Sequence, residues 1–440
     1  MTAVSGSSQN PALEYEGFVK RFFRATEIDA RVVGMVLALA VIWIGFHVAG
    51  YFITGQALFL TPRNLWNLLV QTSSISVMAT GMVLVIVMRY IDLSVGSILG
   101  FVAVVMAYLQ VYALPPYFVA GSPWIWIIAT IVGLALGALI GAFHGMLVAY
   151  TGIPSFIVTL AGLMFWRGAA FKVASGETIA PLEPAYTLIG GGPYGSIGST
   201  WSWIVGAVAC IGIVWGLFNG RVQRKRFHFP LRPVWAEITV GALMCAVVVF
   251  AVILVNSYMW PIGIIRQYAA AKSITTPLAD IHISHGFAVP VLIALAVGLV
   301  MTFVSNRTRL GRYVYAIGGN PEAAVLAGVD TRKITIAAFA IIGLLAAISA
   351  VIATARLNAA AIALGQFDEL YVIAATVIGG TSLAGGTGTI FGAFFGALIM
   401  QSIQTGMVLL GFDTPVLQMT LGVVLCFAVW LDYIYRTKMK

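Results

Sequence analysis

Met88-Arg89-Tyr90-Ile91-Asp92-Leu93-Ser94-Val95-Gly96-Ser97 interrupts two long apolar runs, one over about 65–88 and the other over about 93–114. Each run is apolar on all sides rather than along one stripe. A helix needs about 20 apolar residues to cross the hydrocarbon core of a bilayer, and both runs reach that length. Similar runs stand at about 32–53, 124–150, 154–173, 201–218, 238–255, 287–304, 334–355, 390–410 and 416–431, with a shorter one at 370–378. In lipid every backbone polar group must be satisfied internally, so these runs predict helices. Strict alternation is absent, which argues against a membrane barrel. The expected fold is all-α, a polytopic integral membrane protein of about 10–12 transmembrane helices with broken helices in each half.

Composition agrees. Of 440 residues, 60% are hydrophobic and 9% charged, where a soluble domain carries about 25% charged residues. Such a chain could not cover its surface with polar groups in water, and it is too apolar for disorder. The net charge of +9 might suggest nucleic acid, but its location argues for orientation instead. Seventeen of the 24 basic residues fall in four segments. These are Lys20, Arg21, Arg24 and Arg31; then Arg221, Arg224, Lys225, Arg226 and Arg232; then Arg307, Arg309, Arg312, Arg332 and Lys333; then Arg436, Lys438 and Lys440. By the positive-inside rule these segments are cytoplasmic, and so are both termini. The expected division is a cytoplasmic amino-terminal segment over 1–31, a transmembrane domain over 32–432 and a cytoplasmic tail over 433–440. The first apolar run lacks a small-residue cleavage site and reads as a span. For the parity to hold, residues 371–388 must count as a crossing or two neighbouring runs must pair differently.

The polar break is the first site candidate. Asp92 can cap a helix starting at Leu93 by accepting from the N–H of Ser94 or Val95, and Arg89, three residues earlier, can pair with it. A tight interfacial turn explains the same residues; a polar lining of a pathway is the functional reading. The second break, Gly379-Gly380-Thr381-Ser382-Leu383-Ala384-Gly385-Gly386-Thr387-Gly388, holds five glycines in ten positions. Each costs a helix up to about 1 kcal/mol against alanine. No Gly-Lys-Ser/Thr follows, so it is not a P-loop. One break in each half points to a transport pathway. Asp92, Ser94, Gly96, Thr381, Ser382 and Thr387 are the candidate pathway or gate residues. Arg167, near the far end of its run, reads as snorkelling to the outer boundary. Cys210, Cys245 and Cys426 lie inside apolar runs and read as small buried hydrophobes; no metal-ligand spacing is present.

Residues 306–333 form a basic loop that contains Gly318-Gly319-Asn320-Pro321-Glu322-Ala323-Ala324-Val325-Leu326-Ala327-Gly328. Gly318 and Gly319 signal a turn, Asn320 a cap, Pro321 a first helical position, and Gly328 a helix stop. A short surface helix follows, and its alanines offer a smooth face to a partner groove.

Glu322-Ala323-Ala324-x-x-x-Gly328 resembles the EAA-type coupling loop of bacterial ABC importer permeases. The run from Gly311 to Ala324 is similar to the signature of the ribose/xylose/arabinose/galactose permease family. Ile91-Asp92-Leu93-Ser94-Val95-Gly96-Ser97, Ile153-Pro154-Ser155-Phe156-Ile157-Val158-Thr159-Leu160 and Ile378-Gly379-Gly380-Thr381-Ser382-Leu383-Ala384-Gly385-Gly386 match it too. The resemblance spans about 60–432. Within the family it is greatest to the D-xylose permeases, whose extra basic loop and apolar span the stretch 221–255 resembles. Arg89-Tyr90 departs from the family, where many relatives carry small residues. The resemblance implies a subunit of an importer in the bacterial inner membrane. Two copies would form the pathway, and a periplasmic sugar-binding protein would deliver the sugar. An ATPase subunit, binding ATP and Mg itself, would meet Gly318, Gly319, Asn320, Pro321, Glu322, Ala323, Ala324 and Gly328. The chain would need no cofactor of its own and would bind membrane lipid, not nucleic acid.

Two other classes stand beside this one. An ion-coupled secondary transporter would need intramembrane carboxylates, and Asp92 is the one candidate, since Asp368 and Glu369 read as close to a loop. An intramembrane enzyme would need a nucleophile with its base or a metal set, and the five histidines form no HExxH.

Overall fold

The structure, a computed structural model, describes residues 18–27, 29–119, 121–274 and 277–437. Lys438 and Lys440, used above for charge placement, lie outside the described residues. Regular structure among the described residues is helical. The order is α1 (Phe18–Thr26), α2 (Ala30–Thr54), α3 (Pro62–Val87), α4 (Val95–Tyr108), α5 (Pro123–Met146), α6 (Ser155–Ala174), α7 (Pro184–Thr187), α8 (Gly198–Arg226) and α9 (Val234–Asn256). It continues with α10 (Ile262–Ala271), α11 (Val289–Arg307), α12 (Arg309–Gly319), α13 (Pro321–Leu326), α14 (Thr331–Leu357), α15 (Asp368–Ile378), α16 (Ile390–Leu409) and α17 (Thr414–Thr437). Among the described residues ten stretches are long and apolar enough to cross a membrane, and Thr414–Trp430 is a shorter apolar one. Each coincides with a run read from the sequence.

The chain divides into two compact units. The smaller comprises the described residues up to 36 and residues 203–253. It is a hairpin of α8 and α9 with α1, tied by charge: Glu27 pairs with Arg224 at 2.7 Å and Arg232 at 2.5 Å, and Arg221 pairs with Glu237 at 2.7 Å. The two arginines hold the Glu27 carboxyl at about 2, well below its usual value. Part of the basic loop thus answers to acidic partners within its own unit. Cys210 and Cys245 are half-buried and Cys426 is exposed, all free, where deep burial was expected.

The larger unit, the described residues of 37–202 and from 254 onward, is the helical bundle. Its centre is α3 and α14, whose most apolar stretches are 89% and 67% buried. Small residues let α5 lie directly on α14: a Cβ at Gly141 would sit 2.0 Å from the Phe339 carbonyl oxygen. Close backbone approach of this kind holds helices together where lipid supplies no hydrophobic drive.

α15 has 11 residues, about 16 Å of helix, too short to cross alone. It is followed by the glycine-rich chain 379–389, in which Gly386 N–H donates to the Val87 carbonyl at 2.9 Å, so 371–388 is a half-helix and turn rather than a full-length span. Residues 306–333, expected as a loop with one short helix, are mostly helical, with α12 preceding α13 and α14 starting at Thr331.

Candidate functional site

Three segments far apart in sequence meet at one end of the bundle. α12 begins at Thr308, whose Oγ1 accepts from Gly311 N–H at 3.3 Å, and runs to Gly319. Asn320 then breaks direction in extended geometry, and its Oδ1 accepts from Ala323 N–H at 3.0 Å to start α13. Pro321 occupies the first helical position. Gly328 takes φ +80 and ends the element, and Asp330 caps α14 by accepting from Lys333 N–H at 3.1 Å. The local signals were legible, but the smooth alanine face needs correction. Ala324 faces inward at 4% exposure, while Leu326 protrudes at 89% and Val325 at 56%. Glu322 and Ala323 are exposed beside them.

Arg89 ties the short helix pair to the first break. With φ +67, it turns its guanidinium away from Asp92. Nε donates to the Gly318 carbonyl and Nη2 to the Gly319 carbonyl, both at 2.9 Å. The expected Arg89–Asp92 pair is thus replaced by a cap on the carboxyl end of α12, where the helix dipole favours a cation. Gly318 packs so closely that a Cβ there would lie 1.9 Å from the Val87 carbonyl oxygen and 2.7 Å from Gly386 N. Tyr315 OH donates to the Gly388 carbonyl at 2.7 Å. The first break, the glycine-rich break and the carboxyl end of α12 therefore form one backbone knot.

Within the bundle, Asp92 is fully buried. Its Oδ1 accepts from Ser94 N–H at 2.8 Å and from Ser94 Oγ at 2.5 Å. The helix starts two residues later than expected, at Val95. Ser94 Oγ lies 3.1 Å from His144 Nδ1, and Trp166 Nε1 donates to His144 Nε2 at 3.1 Å. An indole N–H can only donate, so Nε2 accepts and the ring proton sits on Nδ1. The chain of hydrogens from Trp166 through His144 and Ser94 then ends on Asp92, whose Oδ2 stays without a partner. Sequence reasoning missed His144 and Trp166; a lone histidine inside an apolar span was the signal available.

Gly96 lies against the start of α15, where a Cβ would stand 2.3 Å from both Glu369 Oε2 and the Gly365 carbonyl oxygen. Glu369 is buried, not loop-exposed, and its Oε2 also lacks a partner. Arg167 does not snorkel: Nη1 donates to the Leu364 carbonyl at 2.9 Å and the Ile362 carbonyl at 3.2 Å. These carbonyls belong to chain leading into α15, which offers no helical partners of its own.

Thr381 and Ser382 are buried, with Thr381 Oγ1 unpartnered and Ser382 N–H donating to the Thr387 carbonyl at 2.9 Å; Thr387 is exposed. The structure thus brings Asp92 with Ser94, and Thr381 and Ser382 with Thr387. None of the six candidates lines a cavity of about 350 Å³ in the bundle that opens among Trp66, Asn67, Gln71, Gly190, Arg356 and Asn358.

Comparison with known proteins gives a consistent result. A family described as "Branched-chain amino acid transport system / permease component" matches residues 64–184 and 185–429. The xylose transport system permease protein XylH of Haemophilus influenzae is 37% identical over 419 residues, 95% of this chain and 100% of that protein. XylH of Escherichia coli is 36% identical over 379 residues, 86% of this chain and 87% of that protein. The ribose import permease protein RbsC of E. coli is 32% identical over 377 residues, 85% and 87% of the two chains. No solved structure matches.

Proposed function

The chain belongs to this family of transport-system permease components, and we propose that it carries D-xylose across the membrane. It is a multi-pass protein of the inner membrane and the permease subunit of an ABC sugar importer, not an enzyme; ATP is bound and hydrolysed by a separate ATPase subunit, and a substrate-binding protein delivers the solute. The choice of D-xylose rests on the two XylH relatives at 36–37% identity, ahead of RbsC at 32%. Two copies form the pathway, with both termini and α13 on the cytoplasmic side.

The observation that carries the mechanism is α13 itself. A short capped helix that exposes Leu326 at 89% has the form of a knob for a partner's groove. The ATPase grips α13 through Leu326, Glu322 and the turn from Gly318 to Gly328. Closure of the ATPase around ATP displaces α13 and, through the knot, the end of α3 and the glycine-rich segment. Thr381, Ser382 and Thr387 move with that segment as the gate. Asp92, Ser94 and Gly96 sit one step behind it, where α4 and α15 begin side by side. α14 starts three residues after Gly328 and carries the same movement about 40 Å to the other face.

The orphaned oxygens of Asp92 and Glu369 favour one competing reading, an ion-coupled carrier. Proteoliposomes holding the permease, its ATPase and its binding protein separate the two. ATP inside should drive uptake of labelled D-xylose that persists when the proton gradient is dissipated. Collapse of uptake on dissipation would reject the ATP-driven reading, and equal uptake of ribose would reject the choice of sugar.

A further inference from the structure

α14 has a second end, and it lines the cavity. Trp66 near the start of α3, the segment Gly190–Gly192 and the residues that close α14 enclose about 350 Å³. That is the lower end of the ~300–1,000 Å³ typical of small-molecule sites, room for one sugar ring and not for an oligosaccharide. Gly190 seats the segment on the helix: a Cβ there would lie 2.1 Å from Arg356 N.

The polar groups facing this space are mostly unspent. Asn358 closes α14 in left-handed geometry and uses Oδ1 to accept from Leu182 N–H at 2.9 Å, which leaves its NH2 free to turn inward. Gln71 accepts from Gln401 Nε2 at 3.1 Å through Oε1, and its NH2 likewise remains. Asn67 and the guanidinium of Arg356 make no hydrogen bond or ion pair among the described residues. Trp66 supplies the apolar wall. Its Nε1 is committed to the Gly286 carbonyl at 2.9 Å, and its ring rests on Tyr258 and His285 with centroids 5.4 and 5.0 Å away. No carboxylate lines the cavity; the charge that Arg356 feels from outside it is that of Asp368 at the start of α15.

We propose that this cavity is a binding station for a single neutral sugar of pentose size, its hydroxyls accepting from Asn67, Gln71, Arg356 and Asn358 and its C–H face lying on Trp66. The assignment rests on the importer reading and adds where the solute is held. An aromatic wall beside amide donors suits hydroxyls, which accept and donate in turn. Because Arg356 and Asn358 close the helix that begins beside α13, displacement of α13 pulls two of the donors off the solute and releases it into the pathway.

The test compares sugar imported with ATP hydrolysed in the complete importer in proteoliposomes. ATP-driven uptake of D-xylose by the unaltered complex checks the importer reading by itself. Given that uptake, Asn67→Leu and Arg356→Gln should lower the sugar-to-ATP ratio at least fivefold, since cycles proceed without solute in place. The purified variants should melt close to the unaltered protein. A general packing defect would instead reduce sugar and ATP turnover together. If a variant melts early, Asn67→Ser keeps a donor in the same place and should give a two- to threefold drop. An unchanged ratio in the variants that fold overturns the proposal while leaving the importer reading intact. So does external inorganic phosphate that blocks D-xylose uptake, which would mark the Arg356 site as one for anions.

Discussion

The two ends of α14 are built from different material. At the α13 end, Val87, Gly318 and Gly386 meet backbone to backbone, and Arg89 donates to two main-chain carbonyls. At the other end, Asn67, Gln71, Arg356 and Asn358 present side chains to an open volume. A joint of main chain has no slack, because packed atoms cannot compress, so it passes displacement onward. A site of side chains can be retuned residue by residue without moving the scaffold. On the proposed reading, coupling and recognition are thereby separated by the length of one helix.

The comparison breaks first at Gly318. Gly318→Val would drive atoms into the Val87 carbonyl, and uptake should fall to background. Gly319→Ala, next to it, meets no atom within 4 Å and should keep uptake within about twofold. Equal behaviour of the two variants would show that close packing at the knot is not what couples the ends. Arg89→Ala comes next. It removes two hydrogen bonds from a charged donor, each worth about 1.5–3 kcal/mol, and leaves the α12 carbonyls exposed. The two together come to about 3–6 kcal/mol, so sugar-stimulated ATP hydrolysis should drop at least about a hundredfold. Arg89→Lys, with a compact ammonium instead of a planar fork, should recover part of it. A full recovery would mean that charge alone, not the paired geometry, holds the knot.

Leu326→Ser tests the outward face of the same end. Burying a leucine side chain is worth about 1.5–3 kcal/mol, so ATPase co-purification should weaken about tenfold. Surface changes of this kind usually move stability by less than about 0.5 kcal/mol, so the melting temperature should hold. Glu322→Trp and Gly328→Trp crowd the same contact. Unchanged co-purification in all three would remove α13 from the interface.

What the sequence made legible follows from range. Span positions, the Asn320 cap and the Gly328 stop are local and were legible, although α8 runs on to Arg226, past the end of its apolar run at about 218. The knot was not legible, because Arg89 reaches carbonyls 229 and 230 positions away, while its nearest visible partner, Asp92, was a plausible but wrong choice. Glu369 looked solvated because a short helix beside glycine-rich chain reads as a loop. Its burial arises only when Gly96 leaves room for it. His144 carried no motif, and its hydrogen-bond chain exists only once α4, α5 and α6 are brought together.

The gentlest probe is pH, which should act on one end alone. His285 stands behind Trp66, stacked on Tyr258 with centroids 4.1 Å apart. Burial lowers its pKa below the ordinary 6.5, only partly offset by the bond from Nδ1 to the Tyr258 carbonyl at 3.0 Å. The folded protein then binds fewer protons here than the unfolded chain, so stability rises with pH. The contribution is complete above 6.5 and is lost as pH falls through the depressed value, when a cation would have to sit against Trp66. The knot, mostly main chain, has no such group to charge. Between about pH 7 and pH 5, a window set by the ordinary histidine value, the sugar-to-ATP ratio should decline a few-fold while ATPase co-purification holds steady. His285→Phe keeps the stack on Tyr258 and does not titrate, so its ratio should stay level across that range. A decline equal to that of the unaltered protein would place the acid sensitivity elsewhere and remove the chemical contrast between the two ends.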